Sequence, residues 1–152
     1  MTKARLVDLA VSLQMAVAAE PIAGLWQLDR QETNGEKADA EAMILKVTES
    51  GGKFQFAFSM PINKIYFVGT SYAVRPDGSD GDVLNSHGDK IGTVQMTIAA
   101  PSRYRLVLKG PNRPPSNALI TVSKDGKTLT SESDAVQAGH AVHSKQVFSR
   151  HE

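Results

Sequence analysis

Cysteine is absent from this 152-residue chain, and its absence removes disulfides, thiol catalysis and cysteinyl metal sites together. A dominant sign of charge is also missing. Seventeen Lys and Arg stand against 16 Asp and Glu for a formal net charge of +1, so there is no global electrostatic footprint for nucleic acid or an anionic membrane. No long hydrophobic run occurs either: the stretch from Leu6 to Ala19 is broken by Asp8, Ser12 and Gln14, too short and too polar for an integral membrane segment. What is present is ordinary globular composition, 41% hydrophobic and 22% charged. That length and composition give one domain able to bury a core without staples.

The amino terminus admits two readings. Lys3 and Arg5 precede the apolar run, and Ala16-Val17-Ala18 or Val17-Ala18-Ala19 offers a small-residue cleavage site before Glu20-Pro21. That order of features describes an export signal and a periplasmic or secreted protein. Leu6, Leu9, Leu13 and Val17 equally form the stripe of an amphipathic helix, which would be retained in a cytoplasmic protein. Residues 1–20 are therefore read as signal peptide or N-terminal helix, and 21–152 as a single β domain.

Beyond Pro21 the spacing changes to short alternating runs between turn residues. Phe54, Phe56, Phe58 and Met60 point one way and Lys53, Gln55, Ala57 and Ser59 the other, because strand side chains alternate faces. Val94, Met96 and Ile98, then Tyr104, Leu106 and Leu108, then Ala118, Ile120 and Val122 repeat the pattern. Ser50-Gly51-Gly52-Lys53 and Lys124-Asp125-Gly126-Lys127 supply hairpin turns that tolerate positive φ. With Ile22–Asp29, Ala42–Glu49, Ile65–Val74, a returning strand opened by Leu129 and Ala141–Ser149 as further strands, about nine in all are expected. Their hairpin-length connections predict an antiparallel up-and-down meander closed into a barrel, which leaves no exposed edges. Arg75–Lys90, rich in Gly, Asp and Ser without apolar periodicity, reads as one long loop, the kind of segment that often carries function.

Gly24-Leu25-Trp26 on the first strand is similar to the Gly-x-Trp signature of lipocalins. From Ile22 to Arg150 the chain resembles small bacterial secreted lipocalin-like proteins of unassigned function, including their late turn, here Ser123-Lys124-Asp125-Gly126-Lys127-Thr128-Leu129-Thr130. The resemblance implies a lipocalin-like barrel whose interior can hold a small apolar ligand. It also implies that Trp26 lies beneath Arg150, which follows the last strand, and that the two close one end of the barrel.

Several short matches to catalytic motifs lack their structural context. Gly126-Lys127-Thr128 is the tail of a phosphate loop, but Thr121 stands where the first glycine is required. Ser50-Gly51-Gly52-Lys53 has Ser-x-x-Lys spacing in a hairpin, and Gly69-Thr70-Ser71-Tyr72-Ala73 has no strand-to-helix turn to make it a nucleophile elbow. His87, His140, His143 and His151 include a His-x-x-His pair, which on a strand faces opposite ways and holds no metal. Asp77, Asp80, Asp82 and Asp89 lack the closing bidentate acid of a calcium loop, so calcium binding tighter than about 10⁻⁵ M is not expected. Arg103, Arg105, Lys109 and Arg113 flank Tyr104 as a solvated sheet face, and neither nucleic acid nor a cofactor is implied.

These readings leave three functions to separate. The preferred one is a non-enzymatic barrel binding a small hydrophobic or amphipathic molecule, with Phe54, Phe56, Phe58, Tyr104 and Leu106 lining the cavity. The second is a hydrolase or isomerase at the barrel mouth, with His87 and the loop aspartates as acid–base groups. The third is an envelope interaction module with a filled, ligand-free interior. Interior volume distinguishes them, while oligomeric state is left open.

Overall fold

The computed structural model describes residues 21–39 and 42–151; the two readings of residues 1–20 lie outside the described residues. Eleven strands follow in chain order: β1 Gly24–Thr33, β2 Glu36–Ala38, β3 Ile44–Ser50, β4 Lys53–Ile62, β5 Ile65–Val74, β6 Gly81–Leu84, β7 Lys90–Ala100, β8 Arg103–Lys109, β9 Ser116–Val122, β10 Thr128–Gln137 and β11 His140–His151. Every strand from β3 to β11 pairs antiparallel with the next, β3 pairs with β1, and β11 returns to β1. The result is a closed ten-strand antiparallel barrel. β2 is an annex: it pairs with Gln31–Thr33 of β1, while β3 takes Gly24–Gln27 of the same strand.

Closure runs through eight residue pairs of β1 and β11, from Leu25 with His151 to Thr33 with Ser144. The fold class is the one the alternation predicts, with two corrections in detail. More strands form than the nine expected, because β2 carries no buried side chain and so leaves no apolar mark on the sequence. Arg75–Lys90 is not one long loop, since Gly81–Leu84 crosses the wall as β6 and buries Val83. Residues 75–80 therefore lie at one end of the barrel and the Asn85–Asp89 turn at the other. A four-residue strand with one buried position is below the length at which alternation can be recognised.

Inward positions fill unevenly along the axis. Trp26, Leu45, Val47, Phe54, Phe56, Val74, Val94, Met96, Tyr104, Leu106, Leu129 and Phe148 are all at most 2% exposed. Burial of each such large apolar side chain stabilises the fold by about 1.5–3 kcal/mol. Phe54 meets Tyr104 edge-on at 6.1 Å between ring centroids, and Phe56 stacks on Tyr72 at 4.8 Å. No polar or charged residue among those described is fully buried. The core is thus apolar and fixed by ring geometry. None of the described residues forms a helix long and apolar enough to cross a membrane.

Candidate functional site

The closed end is built from the first strand, the last strand and one turn. Trp26 and Arg150 are direct partners across the β1–β11 pairing. The Trp26 indole donates to the Ile22 carbonyl at 2.9 Å, which fixes the ring, and the Arg150 guanidinium stands over it at 4.2 Å from the centroid. Arg150 also donates through Nε to the Gly126 carbonyl at 2.7 Å, through Nη1 to Ala23 at 2.8 Å and through Nη2 to Pro21 at 2.6 Å. The β9–β10 turn presents the Gly126 carbonyl because Asp125 accepts from the Ser123 hydroxyl and the Lys127 amide, and Ser123 accepts from the Thr128 amide. Those bonds hold the Asp125 carboxyl below its ordinary value, the Ser123 hydroxyl contributing most. Gly24 is required here: its φ is +139°, and a Cβ would stand 2.5 Å from Arg150 Nη1. Glycine alone permits both that backbone and that approach.

The opposite end opens into a cavity of about 340 Å³. Its wall is mainly aliphatic and aromatic, with Met43, Leu45, Phe58, Met60, Tyr72, Leu106, Leu108, Ile120, Leu129 and Phe148 contributing. Four polar side chains interrupt it: Thr70 and Tyr72 on β5, Ser131 on β10 and Gln146 on β11, the last two directly paired across strands. Burial pushes the Tyr72 phenol well above its ordinary value, so it stays protonated.

Of the five residues expected to line a cavity, Phe58 and Leu106 do so. Phe54, Phe56 and Tyr104 do not; they are packed in the closed half, where the Tyr72 ring covers Phe56 and Tyr104 closes on Phe54. Alternation assigns all five to the inner face but cannot say how deep along the axis each lies. Tyr72, Ser131 and Gln146 are not recognised from sequence. Tyr72 falls within Gly69-Thr70-Ser71-Tyr72-Ala73, whose short likeness to a nucleophile elbow centres on Ser71, and Ser131 lies in a strand whose inner face, Leu129-x-Ser131-x-Ser133-x-Ala135, looks solvated.

Beyond the mouth the β4–β5 hairpin continues as an apolar tongue. Ile62, Ile65, Tyr66, Phe67 and Val68 are between 46% and 61% exposed. A bulge at Gly69 shifts the register, so that Phe58 faces Thr70 but Met60 faces Phe67. Directly paired residues share a face, so Met60, Ile62, Ile65 and Phe67 extend the inner apolar surface of the barrel outward.

The groups considered for acid–base or metal chemistry are dispersed. His87 is in the β6–β7 turn at the open end, whereas Asp77 and Asp80 are in the β5–β6 connection at the closed end. Asp77 accepts from Ser79, Asp80 from Gln95, and Asp82 is paired with Lys90 at 3.1 Å. His143 is bonded to Asp134 at 2.7 Å on the outer surface. No group of three or more His, Asp or Glu among the described residues is placed to hold a metal ion.

The architecture, a closed antiparallel ten-strand barrel with one packed and one open end, is that of a calycin-type barrel. No family model matches the sequence, and no curated protein matches it by sequence. Solved structures share the fold. The zebrafish ileal bile acid-binding protein complexed with cholic acid is 14% identical, with a TM-score of 0.58, 86% of this chain and 99% of that one being covered. A fatty acid transporter, REP1-NXSQ, is 16% identical over 88% and 98% at the same TM-score. The S-type phycobiliprotein lyase CPES from Guillardia theta is 12% identical over 88% and 90%, again at 0.58.

Proposed function

We propose that this chain is a non-enzymatic binding protein that holds a small hydrophobic or amphipathic molecule inside its barrel. The observation that carries the reading is the cavity itself: about 340 Å³, predominantly apolar, open at one end and closed by Trp26 and Arg150 at the other. Its size is at the lower end of the range for small-molecule sites, and an apolar wall with a few placed polar groups is their usual composition. Two proteins of the same fold support it, one solved with cholic acid and one named a fatty acid transporter. The dispersal of His87, Asp77 and Asp80 supports binding over catalysis.

Native mass spectrometry of the purified protein after incubation with a lipid extract tests the reading. Retention of a small molecule is expected, and its loss in Ala118→Trp, which fills the cavity from β9, assigns it to the interior. A barrel that retains nothing would overturn the proposal. The export reading of residues 1–20 places the binding activity in the periplasm or outside the cell. Amino-terminal sequencing of protein from its native host tests that part, and a chain beginning at Met1 or Thr2 would reject it.

A further inference from the structure

We infer that the cavity selects ligands with an uncharged polar group, such as an alcohol, ester or amide, and discriminates against carboxylates. The inference rests on the binding function proposed above and narrows it to a chemical class. Among the described residues lining the cavity, none carries a charge. A carboxylate taken inside would lose its hydration without gaining a cation, and an unpaired buried ion is among the most unfavourable states a protein interior can hold. Lys109 and Arg113 line a separate groove at the mouth. There they could offer only a solvated ion pair, worth little.

What the wall does offer is neutral hydrogen bonding. Tyr72 is only 5% exposed, faces the cavity and has no hydrogen-bond partner among the described residues. Its hydroxyl is not sealed off, since no buried side-chain polar atom is without a partner. Thr70, Ser131 and Gln146 line the same space and are likewise unbonded through their side chains to any described residue. Hydroxyl and amide groups of this kind both donate and accept. They match a ligand hydroxyl or carbonyl, and leaving them dry against a pure hydrocarbon would waste their bonding capacity.

The experiment compares 1-dodecanol with dodecanoate, each displacing the neutral dye Nile red from the intact protein at pH 8. Dodecanol is expected to bind at least about tenfold more tightly, the scale set by burying an unpaired carboxylate. The gap should narrow as the pH is lowered toward about 4, where a growing share of the fatty acid carries its proton. Tyr72→Phe, which keeps the ring stacked on Phe56, should weaken dodecanol about three- to tenfold, the range for one net hydrogen bond, and move dodecanoate less. Equal affinity for both ligands at pH 8 would overturn the selectivity while leaving the binding function intact. Failure of Nile red and of both ligands to enter would overturn the binding function itself. Unchanged dodecanol affinity in a folded Tyr72→Phe protein would remove Tyr72 from the site.

Discussion

The two ends of this barrel are made from the same ten strands and the same inside–outside alternation, yet one is filled and the other is not. At the closed end the inward positions are filled mainly by large apolar side chains such as Trp26, Phe54, Phe56 and Tyr104, and Arg150 ties the start of the first strand, the last strand and the β9–β10 turn together. At the open end the inward positions shrink to Thr70, Ala118, Ser131 and Gln146, while large apolar groups move out onto the β4–β5 tongue. The difference separates a half that packs from a half that leaves volume. On the binding function proposed above, packing is concentrated where nothing needs to enter, and volume is left for the ligand.

Truncation should break the closed end first. Trp26→Ala and Phe56→Ala are each expected to cost about 3–5 kcal/mol, the range for removing a buried aromatic ring, read as a fall in the urea midpoint at unchanged slope. Arg150→Met keeps much of the aliphatic stem but removes three charge-assisted donors and the stack on Trp26. A loss of about 2–3 kcal/mol is expected, and Lys at this position should not restore it because an ammonium cannot reproduce the planar fork. Phe58→Ala sharpens the contrast: its ring already borders the cavity, so about 1–2 kcal/mol should be lost, less than at Phe56 two residues away, because less new void is created. A Phe58 cost equal to that of Phe56 would mean that both halves are packed alike.

Acid should act weakly, and on the closed end. Asp77 and Asp125, in the two connections there, are held below their ordinary value of 3.8, chiefly by the hydroxyls of Ser79 and Ser123. A carboxyl with a depressed folded-state pKa stabilises the fold above its unfolded value and loses that contribution as the pH falls through the folded one. Thermal midpoints should therefore decline from about pH 4 downward. The Asp77→Asn, Asp125→Asn double variant should show a flatter decline. Both groups are fully exposed, which makes this the smallest of the effects.

Most of the barrel is legible in the sequence because a half-buried strand writes its own period. Phe54–Met60, Val94–Ile98, Tyr104–Leu108 and Ala118–Val122 are strands with the inner face assigned from alternation alone, and β5 has the same bounds, Ile65–Val74, that the sequence indicates. β6 and β2 are not legible, one being four residues long and the other wholly exposed. The candidate site is less readable than the fold for a physical reason. The polar groups that interrupt the cavity wall leave no apolar period, and from sequence Ser131 and Gln146 look the same whether they face a cavity or bulk water. The bulge at Gly69, which turns Phe67 rather than Tyr66 toward the inner side, has no signal beyond a glycine in a strand.

The pairing of β1 with β11 also bears on how the chain reaches this state. Apart from the short interruption by β2, every other neighbouring pair is consecutive in sequence, so hairpins can zip one after another at low loop-closure cost. The final seam joins Leu25 to His151 across nearly the whole described chain, and its entropy must be met before its contacts are gained. The seam should therefore be absent from the folding transition state. In stopped-flow measurements Arg150→Met is expected to leave the refolding limb almost unmoved and to accelerate unfolding. The same two strands that close the barrel would then govern how long it stays closed.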